Sequence, residues 1–498
     1  MVQQGKANPQ QLDYPGDYNL QAISILPDFE RAIDIKDMVQ ELNIYESIYK
    51  GALTGNLVLV DGANLIENLQ LQGTERLDFK LGTPGTSGES AVDASEETGH
   101  PFHIYKISNR KQLNDGTMSY MLHFCSRSFL RNIRTRVSQA YSGDMHESVV
   151  KIYTDKLGFD GRKKLIYEPT RNMDTVVIPN LRPIDAISLI GSKSLSKNTG
   201  VPGYLFYETT KAHHFRSYSS LFAIQGTTPR KSIARLRYSP KWVGTKQRDD
   251  DNLFGVTDYS FSQNFDTAGQ QAMGTYAQRV ITHNIFDKSY DIYDWDYHTW
   301  YEYQQHADSG KTKYPITPDP VDTDLKDEGP GHKGVSEYPE SKILLQGTTQ
   351  YSHNEVTGSF GVDVSVDGHI QALLEAQTNQ LVNGSQLKIT MPGHSYLQVG
   401  DVVDFDLPSL TPKKQQGKGF AFNPDDYHSG RYLIVNMRHK VVKEQYSLIL
   451  DCVKDSVWTP YESTGDVWFE GKIKSRPELV DLYEQIDQYE AMDNLQAE

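Results

Sequence analysis

Two stretches of this 498-residue chain carry the same order of glycines and alternating apolar residues, one near each end. They read GNLVLVDGANLIENLQLQGTERLDFKL at 55–81 and GSQLKITMPGHSYLQVGDVVDFDLPS at 384–409. In each, a strand-like alternation is followed by a glycine turn and by a second alternating segment, at 77–81 or 403–407. An internal repeat constrains the fold strongly, because each copy has to form the same structural unit.

The segments that follow the two stretches also correspond. Residues 103–127 predict a strand, an Asn-Asp-Gly turn and a second strand, and residues 432–455 have the same plan. Each copy therefore predicts four antiparallel strands with one long variable loop in the middle, at 82–101 in the first copy and 411–430 in the second.

The expected fold is mainly β with α+β insertions. It comprises two antiparallel β-barrel domains, a mixed α/β domain and an irregular insertion, in agreement with a prior of about 150 residues per domain. The predicted boundaries are 1–134 for the first barrel, 135–225 for the α/β domain, 226–261 for the start of the second barrel region, 262–374 for the insertion, 375–460 for the second barrel and 461–498 for an acidic helical tail.

Helical periodicity is scarcer than strand alternation. It predicts helices near 146–157, near 183–190 and near 367–382, and a further one in the C-terminal tail at 477–492. The tail spaces its apolar residues at i, i+3, i+4 and i+7: Leu479, Leu482, Tyr483 and Ile486. Two interpretations remain open, a helix docked on its own domain and a helix docked on a partner.

Composition excludes several classes of protein. The net charge of −15 argues against a phosphate-binding surface, because nucleic-acid affinity depends on clustered Lys and Arg. Cys125 and Cys452 are the only cysteines of the sequence, so neither a disulfide framework nor a cysteine zinc site is expected. No signal peptide and no run of 18 apolar residues occurs, so we expect neither secretion by the usual route nor a membrane span.

The second stretch contains His394, Asp401, Asp404 and Asp406, which could form a catalytic loop. Asp404 and Asp406, however, lie on the strand phase opposite to the apolar one, which favours a solvated strand face. His394 lies in a Pro-Gly turn, where a polar residue is ordinary. The sequence therefore favours scaffold over catalysis at this position.

A second group of candidate residues is His298, Glu302 and His306. On a helix these side chains would follow one face, so that neighbouring members could share a metal ion. The outer two would lie about 12 Å apart at 1.5 Å per residue, and the spacing is not HExxH, so a surface or interface helix is favoured. His213 and His214 are predicted at a hairpin turn, with a metal role disfavoured. No catalytic, cofactor-binding or metal-binding residue is assigned, and no cofactor is expected.

Three parts of the chain together carry a family resemblance. They are YESIYKGALTGNLVLVDGANLIENLQLQGTERLDFKL, the mid-chain PIDAISLI with GYLFYETTKAHHFRSYSSLF, and the late PGHSYLQVGDVVDFDLPS with SGRYLIVNMRHKV. In this order they resemble the baseplate central hub subunit of contractile-tailed phages similar to the T-even group, over about residues 15–457.

The resemblance implies a structural protein without enzymatic activity, located in the tail baseplate of the virion and assembled in the host cytoplasm. Such hubs are homotrimers in which each chain supplies two tail-tube-like barrels, so that six barrels surround an axial channel for DNA. The implied partners are the other two copies, the central spike, the tail tube or its initiator and neighbouring baseplate proteins, with DNA only in passage and no stable membrane association. Residues 262–372 and the tail after 465 depart from the family pattern.

Two other functions remain open from the sequence. The first is a cell-wall-degrading tail enzyme that uses paired carboxylates. The second is the spike-hub component of a bacterial contractile injection system, which predicts a β-helical spike downstream, whereas this chain ends in a helix-like tail. A carboxylate pair in a cleft would favour the enzyme.

Overall fold

A computed structural model of the chain describes residues 15–27, 32–84, 92–96, 100–114, 116–158, 161, 163–171, 173–224, 228–229, 232–238, 253–263, 266–284, 288–301, 306–308, 335–348, 351–354, 359–362, 368–408, 425, 427–443 and 445–456. The predicted tail helix and most of the loop at 411–430 lie outside these residues.

The N-terminal part is built of strands. Its elements are β1 (Asn19–Leu26), β2 (Ile33–Asp34), a 3₁₀ turn (Lys36–Met38), β3 (Val39–Ser47), β4 (Thr54–Asp61), α1 (Leu65–Asn68), β5 (Arg76–Gly82), β6 (Val92–Asp93), β7 (Phe102–Asn114) and β8 (Thr117–Cys125). Every second residue of β4 is buried, including Leu57 and Leu59, as the sequence alternation predicts.

The central part is mixed. Its elements are α2 (Arg127–Arg134), β9 (Val137–Asp144), α3 (Met145–Ile152), a π-helical turn (Tyr153–Leu157), β10 (Lys164–Tyr167), β11 (Met173–Leu181), α4 (Pro183–Lys193), β12 (Tyr204–Glu208), β13 (Ala212–Ser217), α5 (Tyr218–Phe222), β14 (Ala223–Ile224) and β15 (Thr228–Pro229). The helices predicted near 146–157 and 183–190 are confirmed, and α4 begins at Pro183, where a missing N–H costs nothing.

The remaining described elements belong to the insertion and the second repeat. They are β16 (Ala234–Tyr238), β17 (Gly255–Val256), β18 (Asp258–Gln263), α6 (Thr267–Ala272), β19 (Ala277–Asn284), β20 (Ser289–Asp296), α7 (Tyr297–Trp300), a 3₁₀ turn (Pro339–Ser341), β21 (Ile343–Thr348), β22 (Tyr351–Asn354), β23 (Ser359–Val362), α8 (Gly368–Asn383), β24 (Ser385–Pro392), β25 (Val402–Asp406), β26 (Gly430–Val442) and β27 (Gln445–Lys454). The helix predicted near 367–382 is confirmed as α8.

The two copies of the predicted repeat pair their strands in the same order. In the first repeat (β4, β5, β7 and β8) the order is β4-β8-β7-β5, and in the second repeat (β24, β25, β26 and β27) it is β24-β27-β26-β25. All these pairs are antiparallel. The register also shifts at the same place, between Ile104 and Lys106 in β7 and between Ile434 and Asn436 in β26. The internal duplication is therefore a duplication of fold.

The two repeats join through one strand, β3, that lies outside the predicted four-strand plan. Strand β3 pairs with β4 on one side and with β26 on the other. The β3–β26 seam comprises seven antiparallel residue pairs, from Glu41↔Val442 to Ser47↔Asn436. The mainly β fold with mixed insertions is confirmed, but the described strands of the two repeats form one continuous sheet rather than two separate closed barrels.

Buried side chains of both repeats form a common hydrophobic core, which includes Leu57, Phe124, Ile389 and Leu450. The central part has its own core, and so does the insertion, where α8 packs on the sheet β20-β19-β21. No helix in the described part of the chain is long and apolar enough to cross a membrane.

Candidate functional site

One buried carboxylate on β3 links that strand to the central part and to the second repeat. Glu46 on β3 has a fully buried side chain. Its Oε1 accepts a hydrogen bond from the Thr210 N–H at 3.0 Å, and its Oε2 accepts one from the Val399 N–H at 3.4 Å. The Nε2 atom of His439, on β26, lies 3.6 Å from Oε1. Burial alone would raise the pKa of Glu46, but His439 and the two backbone N–H groups together lower it.

The same seam carries a second, half-exposed set of polar contacts. Arg438 on β26 donates from Nε to Asn43 Oδ1 at 2.8 Å and from Nη2 to Glu41 Oε1 at 3.0 Å. Its guanidinium also lies 5.7 Å from the centre of the Tyr45 ring. Because a guanidinium presents several fixed donors, Arg438 fixes the register of the two strands as well as holding them together.

Next to the seam lies His394, which the structure buries completely. Neither ring nitrogen has a hydrogen-bond partner among the described residues, and Phe254 packs edge-on against the ring. Burial first, and the nearby His439 second, lower the pKa of His394 to about 3. The sequence pattern places His394 in a turn but does not predict that its side chain is buried. In the structure His394 is a neutral core histidine at physiological pH.

The aspartates of the second stretch do not form a catalytic cluster. Asp406 is buried rather than solvated, and Arg235 on β16 donates to it at 2.5 Å. Asp404 is half-buried and accepts a hydrogen bond from Ser232. The predicted solvated face is thus wrong for Asp406, because β16 pairs with β25 and places arginines beside it. Asp401 accepts from the Gln398 N–H at 3.0 Å and stabilises a turn.

A second buried carboxylate lies between the first repeat and the central part. Lys163 Nζ is 2.6 Å from Oε1 of Glu208, and His213 Nε2 is 3.6 Å from Oε2. Oε2 also accepts from Ser126 Oγ at 2.6 Å and from the Leu53 N–H at 3.1 Å. Burial would raise the pKa of Glu208, but Lys163 and His213 lower it far below its usual range. A carboxylate held in its ionised form cannot serve as a general acid.

His213 and His214 lie on strand β13, so their predicted position at the hairpin turn is wrong, although the hairpin itself is confirmed. The Nε2 atom of His213 is 3.0 Å from Ser128 Oγ, and its Nδ1 atom is 3.1 Å from Tyr153 Oη. The arrangement differs from a catalytic triad, in which a carboxylate binds Nδ1. The adjoining cavity is about 40 Å³, enough for a water molecule and too small for a substrate.

The candidate metal ligands do not converge. His298 on the short helix α7 is buried, and its Nδ1 lies 2.8 Å from Ser336 Oγ. His306 Nδ1 lies 2.8 Å from Asp455 Oδ2, and its ring stacks on Tyr301. Glu302 lies outside the described residues. Within the described ranges no three His, Cys, Asp or Glu side chains are grouped to hold a metal ion.

His306 and its neighbour Asp308 instead fasten the insertion to the second repeat. Asp308 Oδ2 is 3.0 Å from Lys454 Nζ, and both side chains are buried. The Arg431 N–H donates to Asp308 Oδ1 at 2.9 Å. The insertion therefore has a fixed position on β26 and β27 through buried charges.

The insertion also presents an apolar sheet face to solvent. Val280, Trp295 and Leu344 pack toward α8, whereas the opposite face of β20-β19-β21 exposes large apolar side chains. These are Tyr290 (66% exposed), Ile292 (56%), Ile343 (58%) and Leu345 (71%). A face of this kind is typical of a surface that meets another protein.

Sequence reasoning misses the two buried carboxylates, although each leaves a signal. Glu46 shares its strand phase with Leu42, Ile44 and Ile48, all of which are buried. Glu208 likewise shares a phase with Phe206. A single carboxylate in an otherwise apolar strand phase indicates a buried charge with a partner, but the partner itself cannot be read from one segment.

Comparison with known proteins gives structural similarity alone. No protein-family model and no curated protein matches the chain. A tail protein from Neisseria meningitidis MC58 is 12% identical with a TM-score of 0.46, covering 89% of this chain and 98% of that one. The 43 kDa tail protein of prophage MuSo2 from Shewanella oneidensis is 9% identical with a TM-score of 0.45, covering 87% and 98%.

A third similar structure is an E. coli component of the type VI secretion system that exhibits structural similarity to T4 bacteriophage tail proteins. It is 10% identical with a TM-score of 0.38, covering 84% of this chain and 74% of that one.

Proposed function

We propose that this chain is a structural hub protein of a phage contractile tail, which forms a trimeric ring between the tail tube and the central spike. The observation that carries the proposal is the β3–β26 seam, which joins two repeats of identical strand order side by side in one chain. Two like units in one chain turn a threefold assembly into one with six like units around its axis.

The seam is built to be permanent. Glu46 is fully buried in it beside His439, so separating the repeats would leave the Glu46 carboxylate without its partner. A hub that joins a threefold spike to six like units needs a rigid pair of repeats in each chain. The spacing of the six units then depends only on the contacts between chains.

The net charge suits a channel for DNA. At −15 per chain the protein repels phosphate groups, so a genome can pass through the ring without binding. DNA is accordingly proposed as a passing cargo and not as a ligand.

We propose no enzymatic activity. Among the described residues, the buried carboxylates with a shifted pKa are each held by a fixed partner: Glu46 by His439, Glu208 by Lys163, Asp308 by Lys454 and Asp455 by His306. The cavity beside Glu208 is too small for a sugar or peptide. Paired carboxylates facing a cleft, which glycoside hydrolysis requires, do not occur at Glu46 or Glu208.

The other proposed partners are the spike, the tube or its initiator and neighbouring baseplate proteins, all in the tail of the virion. The exposed apolar face around Ile292 and Leu345 supports a protein contact of the insertion.

The proposal is tested by the mass and image of the purified full chain, alone and together with its spike. Light scattering is expected to give a mass of three chains of 56.4 kDa each, and class averages are expected to show a ring with six similar lobes. A ring with any other number of chains contradicts the proposal. A peptidoglycan turnover assay on the same protein is expected to give no product, and clear activity would favour the enzyme.

A further inference from the structure

One strand of the first repeat lacks the partner that its counterpart in the second repeat has. In β26 the stretch from Asn436 to Val442 pairs with β27 on one side and with β3 on the other. In β7 the corresponding stretch, from Lys106 to Asn114, pairs with β8 and is interrupted by two β-bulges, between Ser108 and Lys111 and between Gln112 and Asn114. Among the described residues nothing pairs with its other edge.

The side chains of β26 and β7 differ in burial in the same way. Met437, His439 and Val441 of β26 are buried under the seam. On β7 the residues from Asn109 to Asn114 are exposed, and Leu113 alone exposes 47% of its surface. A long open edge with an apolar side chain is a template for another strand, which natural proteins cover or block.

The second repeat has a strand that corresponds to β3. Strand β3 pairs antiparallel with β4, the first strand of its repeat, and β18 pairs antiparallel with β24, the first strand of the other. Strand β3 uses its second edge to pair with β26, whereas no described strand pairs with the second edge of β18. Asp258, Ser260 and Ser262 on β18 are exposed.

We propose that the open edge of β7 is the binding surface for strand β18 of a second copy of this chain. The inference deepens the proposed ring and rests on it: the contact between chains repeats the contact that β3 and β26 make within one chain. Each copy offers a β7 edge and a β18 edge, so the contact is head-to-tail and closes into a ring after three copies.

The in-chain seam also gives the register. Glu41 pairs with Val58 on β4, and Ser260 pairs with Lys388 on β24, so Ser260 is the counterpart of Glu41. Glu41 faces Val442, the last residue of β26 before its turn, and the counterpart of Val442 on β7 is Asn114.

Ser260 of one copy therefore faces Asn114 of the next, antiparallel. One step along, Phe261 faces Gln112, because Leu113 is the extra residue of a β-bulge between Gln112 and Asn114. The contact covers the exposed end of the β7 edge.

The test is a disulfide between copies. In the full chain, Asn114→Cys and Ser260→Cys are combined, both at exposed positions, and the protein is mildly oxidised and run on a denaturing gel without reductant. Directly facing residues of an antiparallel pair are close enough for a disulfide. The native Cys125 and Cys452 are buried, so they do not compete. The matched control combines Ser260→Cys with Ser188→Cys, an exposed position on α4.

We expect linked dimers and trimers from the first pair and unlinked chains from the control. Hydrogen exchange of the unmodified protein provides a second readout, with slow exchange at 107–114 in the assembled form. An oligomer that yields no link, and whose β7 amides exchange freely, overturns the strand contact but leaves the ring proposal intact. A link within one chain also overturns the contact, and chains that stay single under all conditions overturn the contact and the ring together.

Discussion

The imidazole of His439, on β26 of the second repeat, lies 3.6 Å from the carboxylate of Glu46, on β3, and both side chains are buried. The two residues are far apart in sequence and meet because β3 pairs with β26. A buried charge at a joint between similar units makes the joint specific, since any other register would leave the carboxylate without a partner.

Replacing Glu46→Gln is expected to lower the free energy of unfolding by about 3 kcal/mol, because the change leaves a buried polar network incomplete. The measurement is urea unfolding at neutral pH. The matched control is Glu41→Gln on the same strand, whose ion pair with Arg438 is half-exposed and should be worth about 1 kcal/mol or less. Equal losses in the two variants would contradict a special role for the buried carboxylate.

His394 should make the fold sensitive to mild acid. Its pKa in the folded protein is lowered to about 3 from 6.5, so between these pH values the unfolded chain binds a proton at His394 and the folded chain does not. Stability from this group is therefore full above pH 6.5 and falls as the pH drops toward the folded pKa, with a loss of about 2 kcal/mol by about pH 5. In His394→Leu this loss should disappear, which urea unfolding at about pH 7 and about pH 5 checks. An unchanged difference between the two pH values in the variant would contradict the assignment.

The glycine of β4 should tolerate no side chain. A Cβ on Gly55 would lie 2.2 Å from the Phe124 ring and 2.5 Å from the Asn43 carbonyl oxygen. Gly55→Ala is expected to cost about 3 kcal/mol, since neither the ring nor the backbone of the neighbouring strand can move away. Gly62→Ala is the control, because nothing lies within 4 Å of the added carbon. Thermal unfolding of both variants measures the difference, and a Gly55→Ala protein as stable as the control would contradict this packing.

The four strands of each repeat can be read from the sequence because alternation and glycine turns are local signals. The seam cannot, since β3 lies outside the four-strand plan and its partner β26 is remote along the chain. Asp406 illustrates the same limit: its strand phase predicts solvent, but β16 supplies Arg235 beside it. Glu46 is an intermediate case. Its position among buried apolar residues of β3 indicates that the carboxylate is buried, but the sequence does not show that His439 is its partner.

The Lys163–Glu208 pair should behave as a structural unit and not as a catalytic one. Lys163→Met is expected to destabilise the fold by about 3 kcal/mol or more, because it leaves the buried Glu208 carboxylate without its main partner. Combining it with Glu208→Gln should recover part of the lost stability, since the second change removes the unpaired buried charge. The control is Lys151→Met on the exposed side of α3, with an effect within about 0.5 kcal/mol.

The pH dependence of the same variants separates the two roles of the pair. The pKa of Glu208 is lowered on folding, so its contribution is present above its unfolded pKa, near 4.5, and is lost as the pH falls below that value. Lys163→Met raises the folded pKa of Glu208, so the advantage of the wild type over the variant should shrink in acid. Thermal unfolding between about pH 7 and about pH 3 measures this convergence, and parallel curves for wild type and variant would contradict an ion pair in the folded protein.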